Sequence, residues 1–414
     1  MIFTFLMGTI TSIIIIFLAS SCYKKEKHRY APGTMFLGMW AIITFMASLH
    51  LFNMYEASAK VYSIILVGCV SYYMGVINTT HNIKAVANQQ YKLRFIYSKT
   101  FFWIAFWYVF INRIKPFIES LTLLQMGLEM SELRTMFFEQ SKSPIEVIFG
   151  VFSNFLTPIV EASGILYFLT NIKKNFSCLL AISILVLMNS TISGGRFALA
   201  YLILELFIGY LLLKERLLIK VKINKTFIFI VLIFFILCIL GISSLGGIDD
   251  EDMLKHYYVY LCGNIVFFDI KIPMIESLTW HPFTSAIWGF WAHFLPFIHA
   301  IGIPYPDWYL SLSNSVMNTQ EQMLIGENII FNAFSTPFYY LYADARWLGV
   351  IIGMYIFGLF ARRVYELVET SKSHQSFCFY LIVCQMSFNT IFSYPFVNNG
   401  YLLIALYLLW SRKI

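Results

Sequence analysis

The sequence predicts an all-α protein that crosses a membrane many times, and three observations lead to this fold class. Of its 414 residues, 59% are apolar and 12% are charged, about half the charged fraction of a soluble domain. The mean hydropathy is +0.71. Apolar runs of about 20 residues, enough to span the hydrocarbon core, recur along the chain. This composition excludes a secreted disulfide scaffold, a disordered chain and a nucleic-acid-binding protein.

Eleven segments are apolar and long enough to be membrane-spanning helices. They are 2–22, 33–53, 61–78, 100–118, 144–170, 176–191, 196–213, 226–245, 346–361, 376–393 and 397–411. The first lacks a basic n-region and a small-residue cleavage site, so we expect it to remain as an anchor. We predict one integral membrane domain over 1–414.

The positions of Lys and Arg predict which ends of these segments face the cytoplasm. Twenty of the 29 lie in alternate intervals, namely 23–30, 79–99, 171–175, 214–225, 362–374 and 412–414. Because cytoplasmic loops are enriched in Lys and Arg, these intervals are expected to lie inside. Eleven crossings then place the N-terminus outside and the C-terminus inside.

One long outer stretch, 246–345, precedes the ninth predicted span, and loops of that length are usually functional. From Gly246 to Arg346 it carries 3 basic and 10 acidic residues, so it is no polyanion-binding groove. Its aromatic side chains are typical of a membrane-interface belt, and the alternative is stacking on sugar rings. Its histidines are candidate general bases because they titrate near neutrality. The candidates are the bases His256, His281 and His293, and the binding residues Tyr257 and Tyr258.

Outer cations are few, and Arg196 stands in the most informative position. It follows Gly194 and Gly195 at the start of the seventh span, where free N–H groups, close backbone approach and a guanidinium together suit phosphate. The alternative is an arginine that reaches to the lipid headgroups. Arg134, on an amphipathic outer segment, and Arg113, beside the end of the fourth span, are further candidates with the same alternative.

Two acids, Glu161 and Glu205, lie inside predicted spans, and neither has a basic neighbour one turn away on its own helix. This pattern favours buried acids hydrogen-bonded between helices over an ion relay. No CxxC pair, P-loop, HExxH or GxSxG motif occurs, so we expect no metal and no cofactor.

Three short motifs are similar to a known family. They are Ser193-Gly-Gly-Arg196; Tyr260-Leu-Cys-Gly-Asn264 with Phe267-Phe-Asp269; and the stretch from Gly326-Glu-Asn through Asn332 to Ala343-Asp344, which leads to a span with Gly349, Gly353 and Gly358. Together with the topology they resemble the bacterial O-antigen and oligosaccharide repeat-unit polymerases of the Wzy type.

The resemblance implies a GT-C-like, all-helical glycosyltransferase of the bacterial inner membrane with a periplasmic N-terminus and a cytoplasmic C-terminus. Its implied substrate is undecaprenyl-diphosphate-linked oligosaccharide, and its implied partners are membrane lipids, a chain-length regulator and a flippase. Arg196 and Arg134 would neutralise the departing diphosphate. A histidine, Asp344 or Glu327 would take the proton of the attacking hydroxyl. Glu327 and Asn332 are implied to contact substrate.

Other interpretations remain open. An O-antigen ligase uses the same donor but transfers the glycan to lipid A core. A lipid-linked oligosaccharide flippase is a transporter, and the long outer stretch with a nearly uncharged membrane interior disfavours it. A scaffold subunit without catalysis is the third alternative.

Overall fold

The computed structural model describes the greater part of the chain. The residues described are 2–26, 28, 30–78, 98–127, 144–193, 197–216, 253–279, 281–300, 302–318, 321–331, 334–371 and 373–410. Within them the chain forms thirteen α-helices, two 3₁₀ turns and one two-stranded hairpin. Five of these helices are long and apolar enough to cross a membrane. This confirms the predicted all-α membrane class.

The helices and strands follow one another along the chain with only one β hairpin among them. In chain order they are α1 Ile2–Glu26, α2 Pro32–Ser48, α3 Ala59–Ile77, α4 Lys99–Gln125, α5 Pro144–Thr170, α6 Phe176–Ser193, α7 Phe197–Arg216, α8 Met253–Ser277, α9 Trp288–Ala300, α10 Asp307–Ser315, β1 Met323–Gly326, β2 Ile329–Phe331, α11 Pro337–Ser371, α12 His374–Asn389 and α13 Asn399–Trp410, within the part of the chain that the structure describes. The 3₁₀ turns are Leu51–Asn53 and Pro395–Val397.

Most predicted spans coincide with helices, although several boundaries differ; the largest extension is that of the ninth, predicted as 346–361, whose helix is Pro337–Ser371. The second span, predicted to reach residue 53, ends at Ser48 because His50 and Phe52 have positive φ angles of 48° and 59°. The fourth continues through Pro116 to Gln125. Predicted span 226–245 lies outside the described residues.

The chain divides into two compact units. Unit 1 comprises Met1–Ile83, Glu251–Glu366 and Met386–Leu402, and unit 2 comprises Lys84–Asp250, Leu367–Gln385 and Leu403–Ile414. Each unit is therefore assembled from segments far apart in sequence.

Unit 1 has an aromatic core between α2, α3 and α11. The ring of Phe36 lies 4.0 Å from that of Tyr72, and Trp40 lies 4.8 Å from Phe338. Gly75 faces the backbone of α11, where a Cβ would clash, so glycine allows the two helices to approach closely.

Unit 2 is a bundle of α4, α5, α6 and α7 with the first part of α12. Its core is apolar and includes Phe102, Ile159, Leu166, Ile182 and Leu185, all at most 1% exposed. Burial of this kind contributes about 1.5–3 kcal/mol per large side chain when measured against water. A few polar side chains interrupt this core.

Candidate functional site

The stretch predicted as a long outer loop contains a helix that was not among the eleven predicted spans. Leu254–Ser277, within α8, is 24 residues long and apolar enough to cross a membrane. The rest of the stretch forms α9, α10, the β1–β2 hairpin and the start of α11. All of these elements belong to unit 1.

Charged residues on α8 are paired with residues distant in sequence. Asp269 accepts hydrogen bonds from the backbone N–H of Ser58 at 2.8 Å and from its hydroxyl at 2.5 Å. Lys271, which is buried, pairs with Glu321. Glu276 pairs with Lys60 at 2.6 Å. These contacts attach α8 to the start of α3 and to the loop before β1.

The C-terminus of α8 is capped by a side chain from α11. The Arg346 guanidinium donates to the carbonyl oxygens of Ile275 at 2.7 Å and Leu278 at 2.8 Å. A cation at a helix C-terminus is stabilised by the helix dipole and satisfies free carbonyl groups. Arg346 itself has a φ of 54°, which interrupts α11 at this point. The predicted start of the ninth span at residue 346 coincides with this interruption.

Asp344, a predicted general base, is held in a cradle of donors. Its Oδ1 accepts from the Ser285 N–H at 2.7 Å, the Ser285 hydroxyl at 2.8 Å and the Thr284 N–H at 3.0 Å. Its Oδ2 accepts from the Phe283 N–H at 3.0 Å. Asp344 is 4% exposed. Its carboxylate therefore orders the loop 281–286, and this use competes with proton abstraction.

The β1–β2 hairpin presents Glu327 in its turn. Glu327 is exposed and accepts from the Asn53 side-chain amide at 3.2 Å. The hairpin also receives a hydrogen bond from Tyr55 N–H to the Ile325 carbonyl at 2.8 Å. Glu327 is thus accessible on a turn attached to the α2–α3 connection.

Six rings on α9, α10 and the turn between them form a continuous cluster, which we call the aromatic array. His299 stacks on Tyr305 at 4.2 Å, Tyr305 on Tyr309 at 5.1 Å, and Tyr309 on Trp288 at 4.9 Å. The remaining two rings, Trp308 and Trp291, lie 5.4 Å apart, and Trp308 also contacts Tyr309 edge-on. The array combines ring surfaces with N–H and O–H groups, a composition suited to amphipathic ligands.

The helix that carries half of the array is short and exposes apolar side chains. α9 has 13 residues, about 20 Å of helix. One of its faces exposes Phe290, Phe294 and Phe297, at 42%, 42% and 47%. Trp291, which is partly buried, packs against two of these rings, Phe290 at 4.9 Å and Phe294 at 6.3 Å. An exposed apolar face on a short helix suits contact with lipid at a membrane surface.

His281 is the predicted base that lies against the array. Its ring centroid is 6.2 Å from that of Trp308, and its side chain is partly exposed. Its backbone carbonyl accepts from the Thr284 hydroxyl at 2.5 Å, so the loop ordered by Asp344 also positions His281. Trp291 reinforces the same loop, because its indole N–H donates to the Phe283 carbonyl at 2.9 Å.

His293 and His256 are placed differently. The Nδ1 of His293 is 2.8 Å from the Gly289 carbonyl, and its Nε2 is 3.2 Å from the Asn399 amide nitrogen. Because a carbonyl only accepts, Nδ1 carries the proton and Nε2 accepts from the amide. Both ring nitrogens are thus engaged in packing α9 to α13. His256 lies on α8, 4.7 Å from the Tyr260 ring.

The remaining predicted residues are dispersed. The Tyr258 hydroxyl donates to the Met46 carbonyl at 2.8 Å and accepts from the Leu51 N–H at 3.1 Å, whereas Tyr257 is exposed. Arg113 lies in unit 2 and donates to the Asn154 amide oxygen at 2.7 Å. Five predicted residues lie outside the described residues: Arg134, Gly194, Gly195, Arg196 and Asn332.

Trp308, Tyr305 and Tyr309 are site residues that the sequence did not single out. Their signal was an aromatic cluster around Pro304 and Pro306, which is also typical of an interfacial loop. Stacking against Trp288 is what distinguishes them, and this requires the fold. Comparison with known protein families, with curated proteins and with solved structures finds no match for this chain.

Proposed function

We propose that this protein is a membrane glycosyltransferase that joins undecaprenyl-diphosphate-linked oligosaccharide repeat units at the periplasmic face of the bacterial inner membrane. The observation that carries the proposal is the aromatic array with His281 beside it, on a short helix that we place at the membrane surface. Sugar rings attached to a membrane lipid are held at the depth of such a helix. Aromatic rings offer them apolar faces, and tyrosine and tryptophan add hydrogen bonds.

The proposed chemistry needs a base and a stabilised leaving group. His281 takes the proton from the attacking hydroxyl of one repeat unit, and the bond from the donor sugar to its diphosphate breaks as the new glycosidic bond forms. The diphosphate leaves as an anion that a guanidinium can neutralise, the role predicted for Arg196 and Arg134. Asp344 acts as a positioning residue, because its cradle orders the loop that carries His281.

Unit 2 has an apolar groove of its own. It has a volume of about 360 Å³ between α4 and α6. Its lining is apolar throughout and includes Phe110, Ile114, Phe117, Leu187 and Met188. A groove of this chemistry suits a hydrocarbon chain such as the polyprenyl tail.

The positions of Lys and Arg along the chain limit the number of membrane crossings. Basic intervals 214–225 and 362–374 are expected on the same side, so the chain crosses an even number of times between them. Three candidates lie there: predicted span 226–245, α8 and α11. We propose that α11 crosses and that only one of the other two does, which keeps the array outside in a GT-C-like arrangement of about eleven helices.

Thiol labelling of the full chain tests this topology. The cysteines that the structure describes are all buried, so an introduced cysteine gives a clear signal over background. Ile303→Cys is expected to react with a membrane-impermeant maleimide added to the periplasmic side. Asp249→Cys reacts from that side if 226–245 crosses and from the cytoplasm if α8 crosses. A cytoplasmic Ile303→Cys would overturn the proposed site.

The glycolipid ladder of a deletion strain tests the activity. Loss of a polymerase leaves core capped with a single repeat unit, whereas loss of a ligase or a flippase leaves bare core. We expect the single-repeat pattern. Bare core would instead support one of these two alternatives.

Variants complemented into that strain test the residues. His281→Gln is expected to slow polymerisation by about 10²–10⁴-fold, which collapses the ladder. Phe297→Ala, on the exposed face of α9, serves as the matched control and should retain the ladder. A full ladder from His281→Gln at normal protein level would remove His281 from the mechanism. The same outcome for Arg196→Ala would remove Arg196.

A further inference from the structure

Unit 2 buries two carboxylic acids within its helical bundle. Glu161 on α5 is 7% exposed and Glu205 on α7 is 1% exposed. The two carboxyl groups interact electrostatically with each other. The sequence predicts that each acid is hydrogen-bonded between helices. The structure gives the two acids different surroundings.

Among the residues that the structure describes, a hydrogen-bond donor reaches one of these acids and not the other. The Gln385 side-chain amide on α12 donates to Glu161 at 3.1 Å. Neither carboxyl oxygen of Glu205 has a hydrogen-bond partner within the part of the chain that the structure describes. The amide oxygen of Gln385, also buried, lacks a partner among the same residues. We call Glu161, Glu205 and Gln385 the acid cluster. Among the described residues it contains three buried acceptor oxygens without a donor, two on Glu205 and one on Gln385.

The titratable groups around the two acids lie on α4, α6, α7 and α12, and Tyr407 on α13 packs against α5 and α12. Arg113 on α4 interacts electrostatically with Glu161, as does Tyr201 on α7. Cys378 and Cys384 on α12 lie near Glu205. α6, which also packs against α7, carries no charged residue, and Cys178 is its titratable side chain.

The net charge of these side chains indicates that the site lacks one positive charge. Among the described residues, two ionised carboxylates and one guanidinium leave one net negative charge in this part of unit 2. An uncompensated buried charge costs several kcal/mol, because water and counterions are excluded. One proton removes this charge. A protonated carboxyl also becomes a donor, and so provides a hydrogen bond to one of the unpartnered acceptors.

We propose that the Glu161–Glu205 pair is a proton-binding site that holds one exchangeable proton in the membrane interior. The proton resides mainly on Glu205, and Gln385 and Arg113 stabilise the charge on Glu161. Release of the proton changes the net charge of the acid cluster together with Arg113 from zero to −1, so proton exchange is coupled to the packing of α5, α7 and α12. This inference is independent of the proposed glycosyl transfer.

Infrared difference spectroscopy of the purified full-length protein in lipid nanodiscs tests the site. The carbonyl stretch of a protonated carboxyl is expected at pH 7, with a shift in D₂O and an intensity of one group per chain. Glu205→Gln should abolish this band. The band should persist in Glu26→Gln, a matched buried acid that is paired with Arg362 in unit 1.

Two further measurements make each outcome decisive. Gln385→Leu retains both acids and is expected to shift the frequency of the band, because the hydrogen bonding of the pair changes. This variant keeps the test valid if Glu205→Gln fails to fold. Sodium chloride added at constant pH should leave the band unchanged. An unaltered spectrum in Glu205→Gln overturns the proposal, and displacement of the band by sodium would identify a metal-cation site instead.

Discussion

Buried charged side chains have different hydrogen-bond and ion-pair partners in the two units. In unit 1, Arg362 lies 3.4 Å from Glu26 and 3.1 Å from Glu366, and the Asp344 carboxylate accepts four hydrogen bonds of 3.0 Å or shorter. In unit 2, Glu205 is more deeply buried than either acid partner of Arg362 and has no such donor among the described residues. Paired charges fix segments that are distant in sequence. An acid left without donors is suited to proton exchange.

Among the proposed substitutions, removal of Arg362 should cause the largest loss of stability, because it breaks the buried ion pairs of unit 1. Arg362→Leu leaves Glu26 and Glu366 without their cation inside the protein. Breaking a buried pair from one side costs about 3–5 kcal/mol, so we expect a large loss of thermal stability in detergent. Fluorescence-detected size-exclusion chromatography after heating measures it.

The control for Arg362 is an exposed ion pair at similar spacing along a helix. Lys115 lies 4.0 Å from Glu119, and 77% of its side chain is exposed. Because exposed pairs contribute about 0–1 kcal/mol, Lys115→Leu should leave the melting temperature nearly unchanged. Equal losses from the two variants would mean that burial does not determine the effect.

Asp344→Ala is expected to have the second largest effect. Three backbone N–H groups lose their acceptor in a buried site, and each unsatisfied donor costs about 1–3 kcal/mol unless water enters. We therefore expect a destabilisation of about 2–4 kcal/mol together with a shortened glycolipid ladder, since the loop of His281 loses its order. Asp344→Asn keeps one acceptor oxygen and should lie between the variant and the wild type.

Measurements of activity and of stability distinguish between two roles for Asp344, that of general base and that of positioning residue. If it acts as the base, Asp344→Asn should lose the ladder completely while remaining folded. If it positions the loop, Asp344→Asn should retain partial polymerisation. A fully inactive, fully stable Asp344→Asn protein would contradict the positioning role.

Much of the helical fold could be predicted from sequence because hydropathy is local. The predicted span 144–170 has the same bounds as α5, since an apolar run of that length has no other stable state in a membrane. α8 was not predicted as a span, because its charged residues Asp269, Lys271 and Glu276 are typical of a loop, although the helix is apolar enough overall to cross a membrane. Their partners lie 50 to 216 residues away, and no local pattern contains that information.

The candidate site was predictable in composition but not in arrangement. His281 was one of five candidate bases, and its distance from Trp308 depends on the turn that brings α9 and α10 together. Likewise, the missing basic neighbour of Glu161 came from another helix as Arg113. A single sequence gives the residue types available to a site, and tertiary packing decides which of them meet.

His50, in unit 1 between α2 and α3, provides the smallest and most specific test of the comparison. Burial lowers the pKa of its imidazole below the usual value, although the nearby Glu56 carboxylate opposes this shift. The unfolded chain therefore binds a proton more readily than the folded protein, and stability should fall as the pH drops below about 6.5. His50→Asn tolerates the left-handed backbone at this position and removes the titration. Melting temperatures at pH 7.5 and pH 5.5 should differ less in this variant than in the wild type, whereas identical differences would show that His50 does not contribute to the pH dependence of folding.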